Sequence, residues 1–427
     1  MDASIRDSKV QLSFGEQSRE FRIAPSIRST IAFHHIQRTT GFLLPSVEGM
    51  SGSRLPLAEL NGEARLMFDK KTVFIVGAGA SCELGLPAGN GLMTKIASAV
   101  APNQSNWGFA NDDIQRVIVT REQRAYGHNW GGAIARFRTA AVKLHKALPY
   151  ARSIDTYLDS QQYDEDVVFL GKLAIAQTIL QAERESHLYR GREQSVSVGK
   201  QGKLDKSWYP PLSRLLTSGH RANDLSTLFA NVSFIVFNYD RCLEVFLHRM
   251  VKDYFDASDE EAAQAMRSAT IVHAYGQVGY MPWQRTSNDQ PISTPLGGGD
   301  APNLEEIANG IKTYSESADS NTKAVISQLT EQAEAMIFMG FGFIAQNMRL
   351  LAPAGEPAVE RIIATAYKLS SQDREALQKK LERSFGVPVR GTRLQDLNTT
   401  KARYQLIFEP ETCRSLMDNN IFSMADQ

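Results

Sequence analysis

Apolar residues in this chain gather in short runs, and each run stops at a polar or glycine-rich break. Thr72-Val73-Phe74-Ile75-Val76 suits a buried strand and leads into Gly77-Ala78-Gly79-Ala80-Ser81, with a helical pattern from Gly89 to about Val100. A second run starts near Ser233, where Phe234-Ile235-Val236-Phe237 ends at Asn238-Tyr239-Asp240 and a helix is expected to about Tyr254. Thr270-Ile271-Val272-His273 is a third, closing on His273-Ala274-Tyr275-Gly276. A fourth covers residues 334–339 and stops at Gly340-Phe341-Gly342, with a helix over residues 344–351. Ile362-Ile363-Ala364-Thr365 is a fifth, followed by a helix over residues 372–384. Continuous apolar runs of strand length alternating with helical stretches predict an α/β protein, with a parallel sheet covered by helices on both faces.

Between the first and second runs, residues 103–190 read as mostly helical. Ile134, Phe137, Ala141, Leu144 and Leu148 recur at helical spacing, as do Val167, Leu170, Leu173 and Ala174. Ser153-Ile154-Asp155 reads as a helix entry with Ser153 or Asp155 as its cap. Residues 190–207 are expected to form an exposed loop. Residues 284–303 are expected to form a long flexible one whose place after a strand end suits a lid. Three parts follow: an N-terminal extension over 1–66, partly ordered; a catalytic domain over 67–390 with the helical insertion at about 103–190; and a C-terminal segment over 391–427.

Composition narrows the function classes. At 427 residues, with 42% hydrophobic and 22% charged residues, the chain fits an ordinary globular protein. Lys+Arg and Asp+Glu both number 47, so a global basic field for nucleic acid is absent. Cys82, Cys242 and Cys413 lie far apart, which excludes a cysteine framework and fits a reducing, cytoplasmic setting. No apolar run is long enough for a membrane helix. Histidines at His-x-x-x-His spacing are missing, so no metal is expected.

The candidate chemistry lies where the apolar runs stop. A strand ending at Gly77-x-Gly79 lets a phosphate approach the backbone, and the next helix offers N–H groups. The turn departs from the dehydrogenase fingerprint, because Cys82 stands where its third glycine would be. The acidic ribose-binding residue expected about 20 residues on is also absent. A Gly-x-x-x-x-Gly-Lys-Ser/Thr phosphate loop is missing too. Asn238 and Asp240 lie two apart at a strand end, where a helix N-cap pair is the ordinary alternative. Gly340-x-Gly342 repeats the close-approach logic, and Asn347 one turn later is placed to reach a ribose hydroxyl. In a parallel sheet, neighbouring strands would bring these clusters to one crevice beyond their carboxyl ends.

In this order, Gly77-Ala78-Gly79-Ala80-Ser81, Asn238-Tyr239-Asp240, His273 to Gly276, and Gly340-Phe341-Gly342-Phe343 to Asn347 resemble the sirtuins. In detail they look like the zinc-less, sirtuin-like NAD hydrolases of prokaryotic antiphage defence. The similarity spans roughly residues 70–385. It implies a Rossmann-like sheet with an inserted helical region and NAD bound in the crevice. It further implies that Asn238 and His273 are the catalytic pair with Asp240 beside them. Gly77, Ala78, Gly79 and Ser81 would hold the phosphates, while Gly340, Phe341, Gly342 and Asn347 would lie towards the adenosine half. The chain lacks the Cys-x-x-Cys pairs of deacetylating sirtuins and reads Gly85-Leu86-Pro87-Ala88-Gly89 where they carry Gly-Ile-Pro-Asp-Phe-Arg, which argues against peptide deacylation.

The activity so implied is hydrolysis of NAD to nicotinamide and ADP-ribose, with NAD as substrate and in the service of antiviral defence. The alternative is a non-catalytic sensor that binds NAD or ADP-ribose. The resemblance also implies a homo-oligomer gated by a protein partner or trigger, such as a HerA-like motor ATPase or a phage component.

Overall fold

The computed structural model describes residues 2–6, 9–14, 17–22, 68–103, 108–190, 202–284, 293–318, 321–386 and 405–425. The chain divides into two units, Met1–Gly62 and Glu63–Gln427. The first holds three antiparallel strands in the order β1 (Asp2–Arg6), β2 (Lys9–Phe14) and β3 (Gln17–Arg22), where the sequence predicts only a partly ordered extension.

The second unit is built on six parallel strands: β4 (Thr72–Val76), β5 (Val232–Val236), β6 (Thr270–His273), β7 (Ala335–Met339), β8 (Arg361–Thr365) and β9 (Gln405–Glu409). Their order across the sheet is β6-β5-β4-β7-β8-β9. Strands run outward from β4 in one direction and then from β7 in the other, which is the doubly wound, Rossmann-like arrangement with its switch point between β4 and β7. Every residue of β4 and β7 is buried, as a strand with both faces covered requires.

Alternate residues of β4 feed two cores. Val73 and Ile75 join the core packed by the helices Asn90–Ala99, Trp130–Ala147 and Glu165–Glu185. Phe74 and Val76 join the opposite core with Trp208, Leu212 and Leu247. The predicted helical region appears as Asp112–Tyr126, Trp130–Ala147, Ile154–Ser160 and Glu165–Glu185. Its entries are capped by short polar side chains: Asn111, Ser153 and Asp164 each accept first-turn N–H bonds.

Two expectations change. The sequence predicts a separate C-terminal segment over 391–427, yet Gln405–Glu409 is the sixth strand and the helix Cys413–Asn419 packs into the second core. An edge strand needs only one apolar face, so Gln-Leu-Ile-Phe-Glu is too brief and too polar at its ends to stand out. The loop expected to act as a lid differs too. Residues 285–292 of it lie outside the described residues, and its described part is clamped. Arg241 donates to the carbonyls of Thr294 and Pro295, and Arg184 donates to those of Gly297 and Gly299. A buried guanidinium needs acceptors for its five donors, and this loop supplies two carbonyls to Arg241.

Arg241 also joins the insertion to the sheet. It follows the Asn-Tyr-Asp turn after β5, is fully buried, and pairs with equally buried Glu183 of the helix Glu165–Glu185 at 2.6 Å. The Glu183 carboxylate further accepts from the Arg241 and Gly297 backbone N–H groups.

At the switch point the turns after β4 and β7 touch backbone to backbone. Gly77 N–H donates to the Met339 carbonyl at 2.9 Å, and Gly79 N–H donates to that of Gly340 at 3.0 Å. A Cβ on Gly77 would stand 2.5 Å from the Gly340 oxygen, and one on Gly340 would stand 2.1 Å from the Ala80 nitrogen. Gly340 also has φ +58°. A side chain at either position would force the strands apart. Gly340→Ala is therefore expected to destabilise the fold by about 3 kcal/mol or more, read as a lowered urea midpoint. Gly342→Ala, where a Cβ meets nothing within 4 Å, is expected to leave that midpoint unchanged.

Candidate functional site

The carboxyl ends of β4, β5 and β7 surround a cleft of about 220 Å³. It is lined by Gly77, Ala78, Gly79, Ser81, Asn238, Asp240, Gly340, Phe341, Gly342 and Asn347, so the fold brings these remote sequence-predicted residues together. Phe341 sits against Phe237 edge to face, with ring centroids 4.9 Å apart, and forms an apolar wall.

Three side chains form a directed hydrogen-bond chain at the base of the cleft. Ser81 Oγ donates to Asp240 Oδ2 at 2.9 Å, and that leaves the hydroxyl oxygen to accept from Asn238 Nδ2 at 2.8 Å. The same Nδ2 donates to the Gly77 carbonyl at 3.1 Å. Asp240 Oδ1 accepts from the Cys242 N–H that opens the next helix. The carboxamide orientation is thereby fixed, with both amide hydrogens engaged. Its oxygen, Oδ1, is buried and has no protein partner. Such an atom carries a desolvation cost that a ligand hydroxyl or a water can offset. Burial first, and then the nearby Glu183 charge, raise the Asp240 pKa, against the Ser81 and Cys242 hydrogen bonds.

The glycine turns differ from the expected phosphate cradle. The N–H groups of Gly77 and Gly79 are engaged by β7 and its turn, and the Ser81 hydroxyl is engaged by Asp240. The close approach that the glycines permit is between the two turns themselves. Gly342 remains open on the cleft. Asn347, which is 9% exposed, accepts from the Tyr275 hydroxyl at 2.7 Å through Oδ1.

His273 does not line this cleft. The residue borders a separate cavity of about 590 Å³ beside the edge strand β6, with Gln277, Tyr280 and Lys312. Nδ1 lies 2.8 Å from the Asn238 carbonyl oxygen, and Nε2 lies 2.6 Å from Glu244 Oε1. Both partners accept, so the pair of bonds is complete when both ring nitrogens carry protons. An imidazolium has no lone pair with which to act as a base. Burial works to lower its pKa, but the Glu244 charge and hydrogen bond outweigh that and leave it raised. The expected partner of Asn238 in catalysis is thus, in this geometry, a brace for the Asn238 backbone.

The sequence reading missed Asp155, Tyr239, Tyr275 and Arg152, all of which line the cleft. Ser153 is the helix cap and accepts from the Thr156 N–H at 3.1 Å. Asp155 is left to point inward, where it accepts from the Tyr239 hydroxyl. Exposed Arg152 stands at the mouth as a cation. The signal for Asp155 is an acid beside an already sufficient cap, but its partner lies 84 residues away.

No family model matches the chain, and no curated protein is similar to it at a significant level. Among the described residues, no helix is long and apolar enough to cross a membrane.

The His273–Glu244 pair makes stability depend on pH. A histidine whose folded pKa is raised contributes stability that is fully present below its ordinary value of 6.5 and is lost as pH rises through the folded value. Unfolding free energy from urea titrations is expected to fall across that window in the unmodified protein. Glu244→Gln should be less stable by about 1–3 kcal/mol below it, with the decline abolished. An unchanged decline in the variant would assign the pH dependence to other groups.

Proposed function

We propose that the chain hydrolyses the N-glycosidic bond of NAD to nicotinamide and ADP-ribose. The observation that carries this reading is Asn238, which lines a cleft at the switch point of a Rossmann-like sheet, its carboxamide held by the Asp240–Ser81 chain and its buried Oδ1 unpartnered. Ligands bind at such points. The nicotinamide of NAD is a pyridinium and departs neutral, so the leaving group needs no general acid. What the reaction needs is a fixed acceptor for a ribose hydroxyl or an attacking water, and an environment that tolerates positive charge on the sugar. Asn238 supplies the first, and the carboxylates of Asp240 and Asp155 supply the second.

The cleft of about 220 Å³ lies below the roughly 300–1,000 Å³ usual for ligand pockets. On this reading the reacting ribose lies deep and the rest of the dinucleotide runs out past Gly342, Gly89 and Arg152. The antiphage role, and gating through homo-oligomerisation with a motor ATPase or phage-derived partner, are carried over from the sirtuin resemblance. A second reading, a sensor that binds NAD or ADP-ribose without turnover, is favoured by the engaged nitrogens of His273 and the small cleft.

Chromatography of nicotinamide after incubation with NAD separates the two readings. Assays should use the protein alone and with the product of its genomic neighbour. Release by the unmodified protein is expected, with a loss of about 10²–10⁴-fold in Asn238→Ala. Binding without release under every condition would establish the sensor instead. Full release by Asn238→Ala would remove that residue from the chemistry.

A further inference from the structure

The dinucleotide folds place a carboxylate at the end of the second strand of the sheet, where it accepts from the ribose hydroxyls. In this chain the stretch about 20 residues after the glycine turn contains no acid. The structure brings a different one to the equivalent place. β5 is the strand next to β4, and Tyr239 lies in the turn that follows it. The Tyr239 hydroxyl donates to Oδ1 of Asp155, which enters the cleft from the helical insertion.

We propose that Asp155 is the ribose-diol acceptor of this site, supplied by the insertion in place of the missing acid after the first glycine turn. The inference rests on the nucleotide reading above and names the group that selects a ribose. Among the described residues, no cation is paired with Asp155. Its carboxylate accepts from the Tyr239 phenol through Oδ1 and from its own backbone N–H, which leaves lone pairs of the two oxygens for a ligand hydroxyl. A carboxylate has about four lone-pair sites, so it can accept from a ribose hydroxyl beside the phenol, and its charge strengthens that bond. The same charge disfavours a phosphate on that sugar.

The groups facing Asp155 are the phenols of Tyr239 and Tyr275 from the turns after β5 and β6, with Arg152 on its own loop. Glu316 acts electrostatically on Tyr239, and Asp159 and Tyr314 act on Tyr275. Burial raises the Asp155 pKa, and the Tyr239 bond opposes the rise. Protonation removes the charged acceptor, so ribose affinity should fall as pH drops through the raised value.

The test is calorimetric titration with ADP-ribose, which is not consumed, at about pH 8 and at steps down to about pH 5. The unmodified protein is expected to bind and to weaken towards low pH. Asp155→Asn is expected to bind about ten-fold or more weakly at the upper pH, with the pH dependence gone. Tyr239→Phe keeps the carboxylate and removes its donor, so its affinity should begin to fall at a higher pH than in the unmodified protein. That shift decides the matter if Asp155→Asn does not fold. Unchanged affinity and pH dependence in Asp155→Asn, or no shift in Tyr239→Phe, would overturn the assignment of Asp155 alone. No binding of ADP-ribose by the unmodified protein would overturn the nucleotide reading and this inference with it.

Discussion

Two glycine turns, one after β4 and one after β7, meet backbone to backbone where the sheet reverses direction, and the cleft is arranged around that contact. Gly77 and Gly79 donate to Met339 and Gly340, and Cβ atoms at Gly77 or Gly340 would overlap the opposite backbone. The Gly340 N–H in turn donates to Thr365 Oγ1 of β8 at 2.8 Å, and the Ala80 carbonyl accepts from the Trp208 indole at 3.0 Å. The contact therefore links three strands and the helix that starts at Tyr209. It also leaves the Gly77 carbonyl turned towards β5, where it accepts from the Asn238 carboxamide. The orientation of Asn238 thus follows from a backbone contact in which Asn238 takes no part.

Buried charge does the second part of the positioning. Arg241 and Glu183 are fully buried and pair at 2.6 Å, an arrangement whose desolvation cost is offset only when the remaining donors and acceptors are met. They are met by the Thr294 and Pro295 carbonyls and by the Gly297 N–H. The pair thereby fixes the helix Glu165–Glu185 and the loop at residues 294–299 to the turn that carries Asn238 and Asp240. Apolar contacts between the insertion and the sheet set distance better than direction. A hydrogen-bonded ion pair sets direction, as does the Tyr239–Asp155 bond between the same turn and the helix Ile154–Ser160.

The strands β4 to β8 could be read from the chain because each is a continuous apolar run closed by glycine or a polar residue. That is the pattern of a parallel strand covered on both faces. β9 could not, since Gln405 and Glu409 leave three apolar residues between them at the sheet edge. The same locality governs the site. Asn238, Asp240 and the glycines were visible because strand ends in a parallel sheet converge, and convergence needs only topology. The role of His273 was not visible, because it depends on which way the ring turns at an edge strand and on Glu244, 29 residues earlier on a helix. Asp155 looked like a helix cap beside Ser153, and only the tertiary fold separates a residue that caps from one that is left over.

The cleft has a consistent polarity once these parts are assembled. At its base the Gly77 and Gly79 N–H groups are engaged by β7 and its turn, while Asn238 and the Asp155 carboxylate bring acceptor groups to the lining. The exposed cation, Arg152, is at the rim. Carboxylates deep in the lining repel phosphate and suit hydroxyl donors, whereas a cation at the mouth attracts phosphate. A sugar phosphate would therefore enter sugar first. That order is the reverse of a glycine-rich loop that cradles a pyrophosphate against its amides, and it follows from the way the two turns satisfy each other.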